Sequence, residues 1–123
     1  MSQTIEMPGG WQLQFEASPE WAFFRLVKAY PGDSGEPPLA ETIVRTAYEH
    51  GLRRIVLEVD DQVMLYSYLV GQLVALHKRL LIDQGTFRLS GLSGTNADVL
   101  KTLRLTDRLP NYRDREAAVM GRL

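Results

Sequence analysis

The segment Arg53–Val59 (RRIVLEV) constrains the fold more than any other part of the chain. Its nearly continuous apolar run is typical of a strand that is buried on both faces. It is flanked by two segments whose apolar residues recur at helical spacing, Leu39 to Ala47 on one side and Ser67 to Ile82 on the other. A buried strand between two helices favours parallel β-α-β crossovers, which are right-handed and place helices against a sheet.

Further strands are predicted on both sides of this unit. Apolar and polar residues alternate over Trp11–Ser18, and Trp21–Tyr30 is rich in aromatic and branched residues, so the two together predict an N-terminal hairpin. Pro31–Pro38 (PGDSGEPP) predicts a loop because proline and glycine do not continue a strand ladder. Thr86–Leu92 alternates as a later strand, and Leu109–Tyr112 (LPNY) is a candidate short edge strand.

Two more helices complete the predicted order of elements. Thr95 or Asn96 can cap a helix that carries Ala97, Leu100 and Leu103, since both side chains accept bonds from free backbone N–H groups. A final helix is predicted from Asp114 to about Met120. The resulting order, ββαβαβα(β)α, predicts a small α/β (α+β-like) sandwich. We expect a mixed sheet of four to five strands with the N-terminal hairpin and helices mainly on one face.

Composition narrows the classes of function. The 123 residues suit a single domain over 1–123, in which we expect residues 1–10 to form a flexible N-terminus. The chain has no cysteine, so thiolate catalysis and zinc–cysteine sites are excluded. The formal net charge is −1, whereas a nucleic-acid binder is expected to be basic, so we expect no nucleic-acid partner. No apolar run is long enough to span a bilayer and no signal peptide is evident, so we expect a cytoplasmic protein without membrane association.

Residues that could bind a metal or catalyse a reaction are sparse. Neither His50 nor His77 has a histidine or carboxylate three or four residues later, which disfavours a metal site on a helix face. Glu58, Asp60 and Asp61 could be read as a magnesium site at the end of a strand, but such residues more often end strands and cap loops. We therefore predict no metal, no cofactor and no enzymatic activity.

The chain from residue 53 to 119 resembles the STAS domain of anti-sigma-factor antagonists, also called anti-anti-sigma factors. Glu58 takes the place of the family's acidic residue at a strand end, and Leu73–Leu80 (LVALHKRL) is similar to its apolar helix. Gly91–Ser93 (GLS) resembles a turn that follows the next strand, and Leu103–Tyr112 (LRLTDRLPNY) resembles the closing segment. The order and spacing of these pieces carry the resemblance, and the resemblance implies the STAS type of sandwich.

The family's tetrad Asp-Ser-Ser-Gly is where this sequence departs from the pattern. Aligned without gaps, Tyr66 replaces the aspartate, Ser67 keeps the first serine, Tyr68 replaces the second serine and Leu69 replaces the glycine. Gly71 falls where the family often has another glycine. In the family, the first serine is phosphorylated by a partner kinase that is itself the anti-sigma factor, and a phosphatase resets the cycle.

The resemblance therefore implies a regulatory module for transcription and signal transduction that binds protein partners. The expected partner is an anti-sigma factor with serine-kinase activity, with a phosphatase as a possible second partner, and Ser67 is the candidate phosphoacceptor. The candidate partner-binding residues are Tyr66, Ser67, Tyr68, Leu69, Gly71 and Gln72.

Two alternatives stay open at this point. Ser67 could serve only as a helix cap, because a serine hydroxyl at a helix start accepts a bond from an unpaired N–H group. As an alternative function, the chain could be a degenerate STAS scaffold that is never phosphorylated, or a small-ligand-binding module in a larger regulatory assembly. The missing aspartate favours the scaffold, whereas the retained Ser67 favours the switch.

Overall fold

The computed structural model describes residues 2–28 and 35–123, which form a six-stranded mixed sheet and four helices. The strands are β1 (Ser2–Met7), β2 (Trp11–Ala17), β3 (Ala22–Lys28), β4 (Arg54–Val59), β5 (Thr86–Ser90) and β6 (Asn111–Tyr112). The helices are α1 (Leu39–Glu49), α2 (Ser67–Ile82), α3 (Gly94–Thr102) and α4 (Arg115–Met120). The predicted small α/β sandwich is confirmed, although the sheet has six strands rather than four to five.

The strands lie side by side in chain order. β1, β2 and β3 pair antiparallel, whereas β3, β4, β5 and β6 pair parallel. The hairpin of β2 and β3 was predicted, as were the parallel crossovers through α1 and α2. Residues 29–34 lie outside the described residues, and they include the end of the predicted strand Trp21–Tyr30 and half of the predicted loop Pro31–Pro38.

The prediction of a flexible N-terminus over residues 1–10 is wrong for the described residues 2–10. β1 pairs with β2 along its whole length, from Ser2 opposite Glu16 to Met7 opposite Trp11. The turn between them contains Gly9 and Gly10 at φ values of 85° and 78°, a left-handed conformation that glycine adopts without steric cost. The Met7 side chain is buried in the core, which anchors the strand.

Helices cover the two faces of the sheet unequally. α1, α2 and α3 pack on one face, against the inward side chains of β2 to β5. The short α4 packs on the opposite face, where a smaller apolar cluster forms from Trp21, Phe23, Val56, Tyr112, Ala117 and Ala118. The arrangement fits the expectation of helices mainly on one face, and it leaves the face of β1 and β2 opposite α1 largely polar.

Arg88 on β5 holds α4 in place. Its Nη1 donates to the carbonyl oxygen of Ala118 at 2.7 Å, and its guanidinium lies 5.6 Å from the ring centroid of Trp21 and 5.7 Å from that of Tyr112. The last carbonyl groups of a helix accept no bond from within it, so a cation placed there is stabilising. Arg88 therefore joins the end of α4 to the sheet.

A hydrogen-bonded group joins the C-terminal ends of α1 and α2. The Tyr48 hydroxyl donates to Asp83 Oδ2 at 2.7 Å, and Arg79 Nε donates to the same oxygen at 2.8 Å. These two hydrogen bonds, that of Tyr48 being the larger effect, hold the pKa of the Asp83 carboxyl below its usual value. Partial burial and the neighbouring Asp83 carboxylate raise the pKa of Tyr48. The ionised carboxylate thus ties together two helices that pack side by side.

Two glycines on this side of the molecule have contrasting surroundings. A Cβ atom at Gly85, just before β5, would overlap the carbonyl oxygen of Arg53 and lie 2.5 Å from Leu80 Cδ1. A Cβ atom at Gly71, in the first half of α2, would meet no described atom within 4 Å. Gly85 is therefore required by the close approach of the neighbouring backbone, whereas packing against the described residues does not require Gly71.

In the described part of the chain, no helix combines the length and the apolar composition that crossing a membrane requires.

Candidate functional site

The loop that leads from β4 into α2 is held by one buried amide side chain, that of Asn96 on α3. Asn96 Nδ2 donates to the carbonyl oxygen of Val63 at 2.8 Å, and the Leu65 N–H donates to Asn96 Oδ1 at 3.0 Å. Asn96 is 1% exposed, and the Val63 and Leu65 side chains are buried beside it. Because both polar ends of the amide are used, the loop has a fixed path into the helix.

The prediction that Thr95 or Asn96 caps α3 is wrong. The cap is Ser93, whose side-chain oxygen accepts a bond from the backbone N–H of Asn96 at 3.3 Å. Asn96 lies in the first turn of the helix and directs its side chain away from it, toward the loop before α2. The local sequence did not distinguish these positions, since serine and asparagine are both favoured caps.

The fixed loop displays apolar side chains to solvent. Val63 and Leu65 point into the core, whereas Met64 between them is 68% exposed and Tyr66 is 38% exposed. The sequence patterns did not indicate Met64, since no motif marked it. An extended backbone alternates its side chains between two sides, so the anchoring of Val63 and Leu65 obliges Met64 and Tyr66 to face outward.

Ser67 is exposed and is the first residue of α2. The N-cap position is taken by Tyr66, with extended φ and ψ of −94° and 173°, and in the described residues no side chain caps this helix. The prediction of Ser67 as the cap is therefore wrong, because a serine caps from the residue before the first helical one. The bond from the Val70 N–H to the Tyr66 carbonyl oxygen opens the helix at 3.0 Å. The N–H groups of residues 67–69 precede it and have no acceptor within the helix.

The Tyr68 side chain is half-buried and hydrogen-bonded within the domain. Its hydroxyl donates to the carbonyl oxygen of Pro37 at 2.7 Å, which fixes the chain just before α1. Its ring stacks on that of Tyr66 with centroids 6.3 Å apart. Partial burial, followed by the negative charge of Glu36, raises the pKa of both tyrosines, so both carry neutral hydroxyl groups at neutral pH. Tyr66 thus rests on Tyr68 and presents its outer side to solvent.

The remaining candidate residues divide between the core and the surface. Leu69 is fully buried, so the prediction that it contacts a partner is wrong: its side chain belongs to the core beneath the helix. Gln72 is half-buried, and its Oε1 accepts a bond from the Ala40 N–H at 2.9 Å, which caps the start of α1. Gly71 is exposed one turn beyond Ser67. Met64, Tyr66, Ser67 and Gly71 are thus all exposed at or near the start of α2, and we call these four residues together the α2 tip.

The acidic residues at the end of β4 are engaged by arginines of other elements. Glu58 Oε1 accepts a bond from Arg115 Nη2 at 3.1 Å, on the face that α4 covers. Asp60 Oδ1 accepts a bond from Arg25 Nη2 at 2.7 Å. Within residues 2–28 and 35–123, no group of three histidine or acidic side chains is placed to hold a metal ion. The carboxylate of Glu58 thus holds α4 to the sheet, and that of Asp60 holds the loop after β4 to β3.

Comparisons with known proteins bear on the fold. No family model matches the chain, and a search of curated proteins gives no significant match. Among solved structures, the chain is similar to the NMR structure of the protein TM1081, with a TM-score of 0.69 and 14% sequence identity. The match covers 86% of this chain and 84% of that one. At this level of identity, the similarity shows a shared fold alone.

Proposed function

We propose that this protein is a cytoplasmic regulator of the anti-sigma-factor-antagonist type, which binds an anti-sigma factor with serine-kinase activity through the α2 tip. Phosphorylation of Ser67 by that kinase releases the complex, and a phosphatase restores the binding form. The protein is then a binding module without catalytic activity of its own. Support comes from the resemblance of residues 53–119 to STAS domains and from the geometry of the α2 tip.

The exposure of Ser67 at the first turn of α2 is the observation that carries the proposal. A kinase must reach the hydroxyl, and here the residue is exposed, as are Met64 and Tyr66 just before it in the chain. Phosphorylation would add about 1.5 to 2 negative charges at pH 7. The open N–H groups at the start of a helix tolerate an anion, so the fold is expected to persist in the phosphorylated form.

The effect of the phosphate would fall on the partner. Met64 and Tyr66 supply an apolar and an amphipathic contact, and aromatic residues and methionine are enriched in the centres of interfaces. A dianion placed within such a contact loses its water without gaining a cation, which is costly. The phosphate therefore changes affinity and leaves the fold in place.

The first experiment tests the covalent step. The protein is incubated with ATP and each candidate kinase-like anti-sigma factor in turn, and its intact mass is measured. We expect one phosphoryl adduct on the wild type, the same adduct on Ser2→Ala, and none on Ser67→Ala. Ser2 is a matched control because it is an exposed serine at the far edge of the sheet. An adduct that persists in Ser67→Ala would refute the assignment of this residue.

The second experiment tests the contact by isothermal titration with the same partner. Ser67→Asp, which adds a charge, and Met64→Ala, which truncates an anchor, should each weaken binding by about tenfold or more. Tenfold corresponds to about 1.4 kcal/mol, and truncation of a central hot-spot residue costs about 2 kcal/mol or more. Met120→Ala serves as control, because Met120 is 55% exposed on α4, on the opposite face of the sheet. Equal affinities for Ser67→Asp and wild type would show that charge at residue 67 does not control the contact.

The degenerate scaffold is the second candidate, and the two tyrosines favour it. Tyr68 uses its hydroxyl to hold Pro37. The acidic neighbour of Ser67 in the family is replaced here by Tyr66, which stacks on Tyr68. Both residues thus support packing at positions where the family carries polar residues of the switch. A protein that binds its partner normally but yields no phosphoryl adduct with any candidate kinase would fit this scaffold.

A further inference from the structure

A second surface lies at the other end of α2, and the proposed switch does not use it. A cavity of about 180 Å³ separates α2 from the segment 105–109. Its apolar walls come from Val74 and Leu81 on the helix and from Leu105 and Leu109 on the segment. A second cavity of about 160 Å³ begins on the other side of Leu81 and reaches Phe87 at β5. Leu81 stands between the two cavities and is 68% exposed.

Paired cavities of this kind suit an amphipathic helix. A helix that docks in a groove inserts apolar side chains spaced three or four residues apart, because those positions share one face. The two adjacent cavities offer places for two such side chains, with Leu81 packed between them. Ile82, the next residue, is 77% exposed but lines neither cavity. Contiguous exposed apolar surface with a polar rim is typical of a binding site.

The charges around the cavities indicate which charge a bound helix would carry. His77, Lys78 and Arg108 line the first cavity, and among the described residues no acidic side chain lines either one. The nearby Asp83 carboxylate is already bonded to a tyrosine and an arginine at the end of α2. The rim of the first cavity is therefore basic, through Lys78 and Arg108, although the whole chain has a net charge of −1. A complementary partner carries carboxylates beside its apolar stripe.

We propose that this surface, the α2 base, binds an acidic amphipathic helix of a partner protein. The occupant presents leucine-like side chains to the cavities on both sides of Leu81 and acidic side chains to Lys78 and Arg108. A second copy of the same surface is disfavoured, since a two-fold contact would bring the two basic rims together. Two or three cations are also few for a nucleic acid, whose binding depends on many phosphate contacts.

The α2 base is distinct from the α2 tip. Ser67 and Leu81 are 14 residues apart on one helix, which corresponds to about 21 Å at 1.5 Å per residue. A partner helix at the base therefore leaves the tip open. Binding at the α2 base consequently stands or fails independently of phosphorylation at Ser67.

The test is an NMR titration of the ¹⁵N-labelled full chain with a synthetic peptide of about 16 residues, long enough to form a helix. The peptide carries leucine at every third or fourth position and glutamate on the remaining face. Amide shifts are expected in residues 74–82 and 105–109. Leu81→Glu should weaken binding by about tenfold or more, and the double variant Lys78→Glu with Arg108→Glu should weaken it by about tenfold and reduce its salt dependence.

Control variants and peptides distinguish this contact from nonspecific adsorption of an amphipathic helix. Met120→Glu places the same charge on an exposed apolar residue of α4 and should leave the affinity unchanged. A peptide with lysine in place of glutamate and a scrambled acidic peptide should bind at least about tenfold more weakly. Equal binding of either control peptide, shifts confined to the α2 tip, or no shifts at all would overturn the proposal. If shifts at the α2 base depended on protein concentration without peptide, the surface would be assigned to a second copy. If the protein bound phosphatidylserine vesicles and not the peptide, the surface would be assigned to a lipid.

Discussion

Replacement of Asn96 by alanine tests whether one side chain holds the loop that leads to the α2 tip. The change removes the donor to the Val63 carbonyl oxygen and the acceptor for the Leu65 N–H, at 2.8 and 3.0 Å. Each buried backbone group left without a partner costs about 1–3 kcal/mol. The sum is about 2–6 kcal/mol, and a water molecule entering the vacated space would reduce it. We expect the free energy of unfolding to fall by about 3 kcal/mol, a large part of the stability of a small domain.

The assay is urea unfolding followed by circular dichroism, together with amide hydrogen exchange. The slope of the unfolding free energy against urea should stay unchanged, while the midpoint falls. Exchange of the Leu65 amide should become much faster than that of amides in β4, a central buried strand whose amides we expect to exchange only through global unfolding. Asn96→Asp should lose less stability at about pH 4 than at about pH 7, because a protonated carboxyl can donate to Val63 whereas a buried carboxylate cannot.

Ser93→Ala is the matched control for Asn96→Ala. It removes the cap of the same helix, the bond from the Asn96 N–H to Ser93 Oγ, and leaves the loop bonds intact. A loss of about 1 kcal/mol is expected for a cap. The reasoning would be refuted if Asn96→Ala cost no more than Ser93→Ala and left the protection of the Leu65 amide unchanged.

Three further predictions concern other parts of the domain and can be measured in the same unfolding assay. Gly85→Ala should lower the free energy of unfolding by about 1–3 kcal/mol through overlap with the neighbouring backbone. Gly71→Ala, with free space around it, should raise it by about 0.5–1 kcal/mol, and similar effects at both sites would contradict this. Asp83→Asn should destabilise the domain at neutral pH. The difference in unfolding free energy from wild type should disappear as the pH falls through the lowered pKa of Asp83, because the stabilisation belongs to its ionised form. A difference that grew on acidification would contradict this. Arg88→Ala should cost about 2 kcal/mol through the lost charge-assisted bond to the end of α4, and an unchanged midpoint would show that α4 does not depend on it.

The sequence predicted the fold where the signal was local and periodic. The continuous apolar run of β4 and the helical spacing of α1 and α2 are set by burial, and burial leaves a pattern in the chain. β1 was missed because its residues are mostly polar and exposed, so its strand identity comes from pairing with β2. The glycine turn between the two strands was the one local signal that could have indicated the hairpin.

The candidate site was predicted less completely because its geometry is not local. Ser67 was correctly expected near the start of α2, but the residue that occupies the cap position depends on how the preceding loop arrives. That path is set by Asn96, which is 31 residues beyond Leu65 in the chain. The burial of Leu69 follows from the helix face that meets the core, which shows that a gapless match to a motif does not establish which side chains reach the surface.

The continuity of α2 has a consequence for any molecule that engages both of its ends. The helix acts as a spacer of fixed length, so two ligands bound at Ser67 and at Leu81 would be held about 21 Å apart. A single chain bearing both recognition segments would need a tether of at least about six or seven extended residues to bridge them. With such a tether, occupancy of one end would raise the effective concentration at the other, and a phosphate on Ser67 would then weaken both attachments together.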